Sequence, residues 1–334
     1  MSDKKHSFRR SLVGGLFSIV ILSAAVFLLF NQQYVKDHIT FWSFKPSQSV
    51  QKLDSSIGFT PKGTFYFYAQ QPEVEGPDAF NTDCQRQEVG NPILGCYLSS
   101  RIYVYDVTNV QLNGIEEVTA AHETLHAIWE RMSDSDRTRI SALLEAAYAK
   151  LSDDADLTQR MDYYKRTEPG QFDNELHSIL GTETSSLSPE LETHYKQYFT
   201  DRQTIVAYHT KYAAVFSSLK AQSDALYGEL TDLGKSIEAR SAAYDADVKQ
   251  LSADINAFNT KATNGDFSSI SQFNSERSKL LARSQQLDAD RASISADIDT
   301  YNAKYKQYQQ VSSEIETLNK SIDSIKDLQP APSV

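Results

Sequence analysis

Across residues 205–325 apolar side chains recur in steps of three and four. They stand at Ile205, Tyr208, Tyr212, Val215 and Leu219, run from Leu226 through Tyr244 to Phe258, and resume at Leu280, Leu287, Ile294, Ile298 and on to Ile325, with Arg291 filling one seam position. That spacing returns one stripe of side chains to the same helical face, the pattern of a coiled-coil seam. It is broken once, at Asn264-Gly265-Asp266, where turn-forming residues cluster. Two arms flanking one turn predict an antiparallel helical hairpin, each arm of about 55 residues reaching roughly 80 Å at 1.5 Å per residue. Tyr301, Tyr305 and Tyr308 fall on the seam and are read as packing residues. The hairpin either packs on itself or serves as an arm for self-association or for an envelope partner.

The chain has 334 residues, too many for a single ordinary domain and enough for two folded parts and an anchor. With 13 Gly and 9 Pro, few of them in the later part, most of it should be helical. The net charge of −11, from 44 acidic and 33 basic residues, excludes a nucleic-acid binder built on a large basic face.

The N-terminus carries Lys4, Lys5, Arg9 and Arg10, and residues 11–30 that follow are uncharged and mostly apolar. A run of about 20 residues matches the hydrocarbon thickness of a bilayer, whereas a cleavable signal has an apolar core of about 7 to 15. The expectation is a single uncleaved transmembrane anchor over 11–31, with residues 1–10 as a cytoplasmic tail. The positive-inside rule then puts the remainder of the chain outside the cytoplasm. On that oxidising side Cys84 and Cys96, the only cysteines, are expected to form a local disulfide.

Residues 32–62 read as a linker. Residues 64–69 (Thr-Phe-Tyr-Phe-Tyr-Ala) and 101–107 (Arg-Ile-Tyr-Val-Tyr-Asp-Val) read as strands because aromatic and β-branched residues suit a pleated surface, and 101–107 has an exposed edge as one further use, holding an extended peptide. Helices are expected from Asn113 or Gly114 to Met132, from Ser135 to Leu151 with a cap near 133–135, over 157–166 up to Glu168-Pro-Gly170, and over 172–181, closed by Gly181. A further helix starts at Ser188-Pro189 and leads into the seam.

The helix after Gly114 contains Thr119-Ala-Ala-His-Glu-Thr-Leu-His-Ala-Ile128. His122 and His126 lie one turn apart on one face, so both imidazoles can reach one metal ion, and Glu123 beside them can take a proton from a water that the metal activates. With this H-E-x-x-H pattern the sequence resembles the zincin metallopeptidases. The metzincin extension is absent, because Arg131 and Met132 occupy that region and the next histidine is His177. Glu175, 49 residues beyond His126 in an Asn174-Glu175 step, looks like the third zinc ligand of the gluzincin families. One turn later, where many gluzincins hold an acidic residue that steadies a zinc histidine, this chain has Ile179. His177 and Glu183 are rival ligands, and Glu183 is also a candidate acceptor for His122 or His126. Tyr163, Tyr164, His177 and His194 are candidates for stabilising the oxyanion.

The fold expected is α+β and mostly helical: the anchor, a zincin-like domain over 63–200 with short strands, the hairpin over 201–328, and a tail over 329–334. The resemblance covers roughly residues 64–183 and implies a Zn2+-dependent peptidase with a protein or peptide substrate, an endopeptidase rather than an exopeptidase. A non-catalytic envelope protein acting through its coiled coil, and a hydrolase of cell-wall peptides, are the alternatives.

Overall fold

The computed structural model describes residues 21–23, 25–84, 93–168 and 170–324. The fold is mostly helical with a small sheet. It divides into two compact units, one of residues 1–214 with 319–334 and one of residues 215–318. The tails at 1–10 and 329–334 lie outside the described residues, as do residues 11–20 and 24 of the expected anchor. Among the described residues no helix is long and apolar enough to cross a membrane.

The segment read as a linker is folded. Helix α1 (Gln32–Ser43) is followed by α2 (Gln48–Ile57), which the Ser47 hydroxyl caps by accepting from the Val50 N–H. Val50, Leu53 and Ile57, spaced at three and four, are fully or nearly fully buried in the main core. Residues 64–69 form helix α3 (Pro61–Ala69) and no strand. Thr60 accepts from the Gly63 N–H and Pro61 takes the first turn, a strong start signal that overrides the β preference of the aromatics. The helix then spreads its rings around the axis. Phe67 enters the core, Tyr68 donates to Asp54 Oδ2 at 2.9 Å, and Phe65 meets Phe41 of α1.

The sheet has three strands, β1 (Glu73–Glu75), β2 (Gly95–Leu98) and β3 (Arg101–Tyr105), in the order β1-β3-β2. β1 runs parallel to β3 and β2 antiparallel to it, with Val74 opposite Val104 and Cys96 opposite Tyr103. The strand expected at 101–107 is therefore present but central, and both of its edges are used in pairing, so it has none to offer a peptide. Helix α4 (Pro77–Asp83) precedes β2, and the Cys84–Cys96 disulfide ties its end to that strand.

Helix α5 (Ile115–Glu130) runs through the middle of the first unit and is buried on nearly every side. Ala120, Ala121 and Ala127 keep it slim enough for this. Helices α6 (Asp134–Tyr148, capped by Ser133), α7 (Ala155–Thr167, capped by Asp154) and α8 (Phe172–Glu183) follow close to their expected positions. α8 passes through Gly181 and is not closed by it. A Cβ there would stand 2.6 Å from Leu125 Cδ1 of α5 and 2.7 Å from Tyr195 Cε1, so the glycine serves close packing. The helix begun at Ser188 is also interrupted. α9 (Pro189–Tyr195) ends, Phe199 bridges to Phe59, and α10 (Arg202–Asn264) starts afresh. Burying Tyr198 and Phe199 in the core costs the regular helix at this point.

The second unit is a pair of long helices, the remainder of α10 and most of α11 (Ile270–Ile322), with Gly265 at φ +77° in the turn; it spans residues 215–318, against the 201–328 expected for the hairpin. Phe258, Phe267 and Phe273 cluster at its tip. Leu219, Leu230, Leu251 and Ile294 are buried along the seam, and Arg240–Asp297, Arg283–Asp254 and Lys261–Glu276 pair across it. Tyr305 is 46% exposed, because two helices alone cover a seam position only in part.

Candidate metal centre

One group of metal-ligating side chains converges among the described residues: His122, His126 and Glu175. Helical spacing puts the two imidazoles over one point, with Nε2 atoms 3.0 Å apart. α8 packs against α5 and brings Glu175 in from the other side, its oxygens 3.6 Å from His122 Nε2 and 3.5 Å from His126 Nε2. A four-coordinate ion with bonds of about 2.0–2.1 Å holds its donor atoms about 3.3–3.4 Å apart. The imidazoles, 3.0 Å apart, lie 3.5 and 3.6 Å from two different Glu175 oxygens, and one donor atom from each residue falls within 4.8 Å of the others. Glu175 Oε2 is buried with no hydrogen-bond partner, an arrangement that costs free energy unless a cation completes it. These residues therefore fit a metal ion.

The electrostatics agree with this geometry. Burial works to raise the Glu175 pKa, but His126 and His122, with help from the Tyr164 hydroxyl, hold it below the ordinary carboxylate value. Burial likewise opposes charge on His122, yet Glu175 and Glu123 outweigh it and raise its pKa. Glu123 is itself buried, and desolvation pushes its pKa up, with Glu175 and Glu168 acting in the same direction against His126 and His122. A carboxylate of raised pKa is a stronger base than one in water. Glu123 lies against β2: a Cβ on Gly95 would stand 2.5 Å from Thr119 Cγ2 and 3.0 Å from Glu123 Oε1. The missing side chain thus lets the strand backbone rest on the carboxylate. Among the described residues β2 pairs with β3 alone, so its other edge has no strand partner.

The support that an acidic residue at 179 would supply comes from elsewhere. Ile179 is a core residue. His126 Nδ1 donates to Asn174 Oδ1 at 2.9 Å, and Asn174 Nδ2 donates to Gln171 Oε1 at 2.9 Å, which orients the amide. With Nδ1 committed to Asn174, Nε2 is the ring nitrogen of His126 turned toward Glu175 and His122. Asn174→Ala is expected to weaken metal binding by about 10- to 100-fold with the fold intact, measured by competition with a chromophoric chelator. Unchanged affinity would show that Asn174 does not orient the ligand.

The rival ligands are drawn away from the centre. His177 is fully buried and pairs with His194 through Nε2 atoms 2.9 Å apart, so neither ring joins the cluster. Burial lowers both pKa values, that of His194 to about 4. Glu183 is gripped by Arg160, whose Nη1 and Nη2 donate at 3.0 and 2.7 Å, and it also meets His209 Nε2 at 3.2 Å. Burial raises its pKa, but Arg160 overcomes this and keeps it ionised, so its charge acts on His122 through space without a hydrogen bond. Tyr164, and not its neighbour Tyr163, is the tyrosine that supports Glu175. Sequence reasoning missed Asn174 as a support, and it missed Arg160 and His209 entirely. The Asn174-Glu175 step was the one available signal.

Compared with known proteins, the chain matches no family model, no curated sequence and no solved structure.

Proposed function

We propose that the chain is a zinc endopeptidase, anchored by residues 11–31 with its catalytic unit outside the cytoplasm. The observation that carries this reading is the convergence of two imidazole nitrogens and a carboxylate at 3.0–3.6 Å, with a second, buried carboxylate on the adjacent helical residue. Two nitrogens and one oxygen form a donor set typical of catalytic zinc, which leaves one position for water. Zinc held there would supply Lewis acidity, bringing the pKa of a water near 7. Glu123 would accept a proton from a water attacking the peptide carbonyl and return it to the leaving amine. Asn174 keeps His126 in the required tautomer, and Tyr164, whose hydroxyl helps to lower the Glu175 pKa, is the candidate donor to the developing oxyanion. The unpaired edge of β2, the strand whose face at Gly95 lies over Glu123, is where an extended peptide would add as a further strand.

The size of the 215–318 hairpin favours a second reading, a non-catalytic envelope protein that works through this arm. One experiment separates the two. The purified full chain is assayed for metal content and for cleavage of an unfolded protein and a broad peptide library, with and without a zinc chelator. Stoichiometric zinc with chelator-sensitive cleavage is the expected result. Bound zinc without cleavage of any substrate would favour the structural reading, and no bound metal would remove the peptidase reading altogether.

A further inference from the structure

We infer that the outward face of α1 rests on a lipid bilayer and seats the first unit against the membrane. Tyr34, His38 and Trp42 follow one another at intervals of four on this helix and form a continuous stripe, the His38 ring lying 4.1 Å from Tyr34 and 5.8 Å from Trp42. At about 100° per residue, Val35 and Ile39 lie beside that stripe, Asp37 and Phe44 turn to the opposite side, and Phe41 lies at the boundary, about 20° from Tyr34. The opposite side and this boundary are occupied. Asp37 is buried against Arg131, Phe41 packs on Phe65, and Phe44 packs on Tyr68. The ends of the stripe are open, Trp42 77% exposed and Tyr34 57%, with Ile39 beside them at 60%, while the His38 ring between them also packs on Phe65. Phe30, just ahead of the helix, is 85% exposed. No carboxylate or ammonium group falls within this arc, since Asp37 points inward and Lys36 turns away to donate to Ser100 Oγ.

Large apolar side chains gathered on one face and left to water mark a surface that is covered in use. The chain itself identifies the cover. The uncharged run over 11–30 ends directly before α1, and Asn31, with φ −122° and ψ 30°, interrupts the helix at the junction. The inference rests on the proposal that this run is a membrane anchor, which would hold α1 at the bilayer surface. Tyrosine and tryptophan are the side chains suited to that depth, with an apolar body and a polar edge. A chain of net charge −11 gains nothing from anionic headgroups, so the contact is apolar and insensitive to salt. Arg131, which binds Asp37, lies five residues beyond His126, about 7.5 Å along a helix. The contact thereby also sets the height of the metal centre above the lipid.

Tryptophan fluorescence of the full chain in phosphatidylcholine vesicles, with and without bromine on the acyl chains near the headgroups, tests this. The only other tryptophan, Trp129, is 9% exposed and lies in the core. Bromolipid should remove up to about half of the emission, and the Trp42→Phe variant should lose that quenchable part. Emission unaffected by bromolipid in a chain that stays with the vesicles through an alkaline carbonate wash would leave the anchor standing and overturn the docking. Bromolipid quenching in a chain that carbonate removes would do the reverse. Shielding of Trp42 from both bromolipid and aqueous iodide would show a protein cover and also overturn the inference.

Discussion

Replacing Glu123 with Gln should lower peptide hydrolysis by about 10²- to 10⁴-fold, the usual contribution of a positioned general base. Metal content should stay as it was. The substitution removes a proton acceptor without changing shape, so the close approach to the β2 backbone at Gly95 is kept. Because His122, His126 and Glu175 form the converging group, the loss should appear in kcat, with little change in KM or in metal stoichiometry. His126→Ala should behave differently, losing metal and activity together. Activity of the Gln variant within about tenfold of wild type would exclude Glu123 as the base.

Asp37→Ala should be among the most destabilising single substitutions, costing about 3–5 kcal/mol in a domain whose total stability is typically about 5–15 kcal/mol. Arg131 and Asp37 have side chains 6% and 5% exposed, and they meet through two bonds, Nε to Oδ2 at 2.7 Å and Nη2 to Oδ1 at 2.8 Å. The guanidinium also donates to Gln70 Oε1, to the Tyr97 hydroxyl and to the Ala127 carbonyl. Without Asp37 it remains buried with the half-exposed Glu130, 3.8 Å from Nη1, as its one remaining carboxylate neighbour among the described residues. Urea unfolding followed at Trp129, two residues from Arg131, measures the effect. A double change to Asp37→Leu with Arg131→Met should recover most of the loss, since both the charge and its unmet partner are gone. Recovery no better than for Asp37→Ala would mean that packing around α1, and not the stranded charge, accounts for the cost.

Asp37 and Arg131 also illustrate what was hidden in the chain. They are 94 residues apart, in a segment read as a linker and at the end of a motif read for its histidines. Nothing local to either residue marks them as partners. The same holds for Glu183, which reads as an acceptor for a ligand histidine and in fact belongs to Arg160 and His209. The aromatic run at residues 64–69 failed for a different reason. Its composition suits a strand, but the Thr60-Pro61 start decides the backbone, and aromatic preference is a weak force next to a capped helix terminus whose rings can all be packed.

By itself the sequence determined what depends on near neighbours along the chain. His122 and His126 share a face because a helix turns every 3.6 residues, the Ser133 and Asp154 caps start α6 and α7, the break at Gly265 makes the hairpin, and two cysteines twelve apart close a disulfide. Tertiary structure alone decided which of Glu175, His177 and Glu183 meets the histidines, that Asn174 orients His126, and that β2 lies along Glu123 while β3 is enclosed. The first set of relations is fixed by backbone geometry within a few residues. The second depends on how α5, α8 and the sheet pack once their apolar faces are buried, and a separation of 48 residues between His126 and Asn174 carries no periodic signal for a single sequence to reveal.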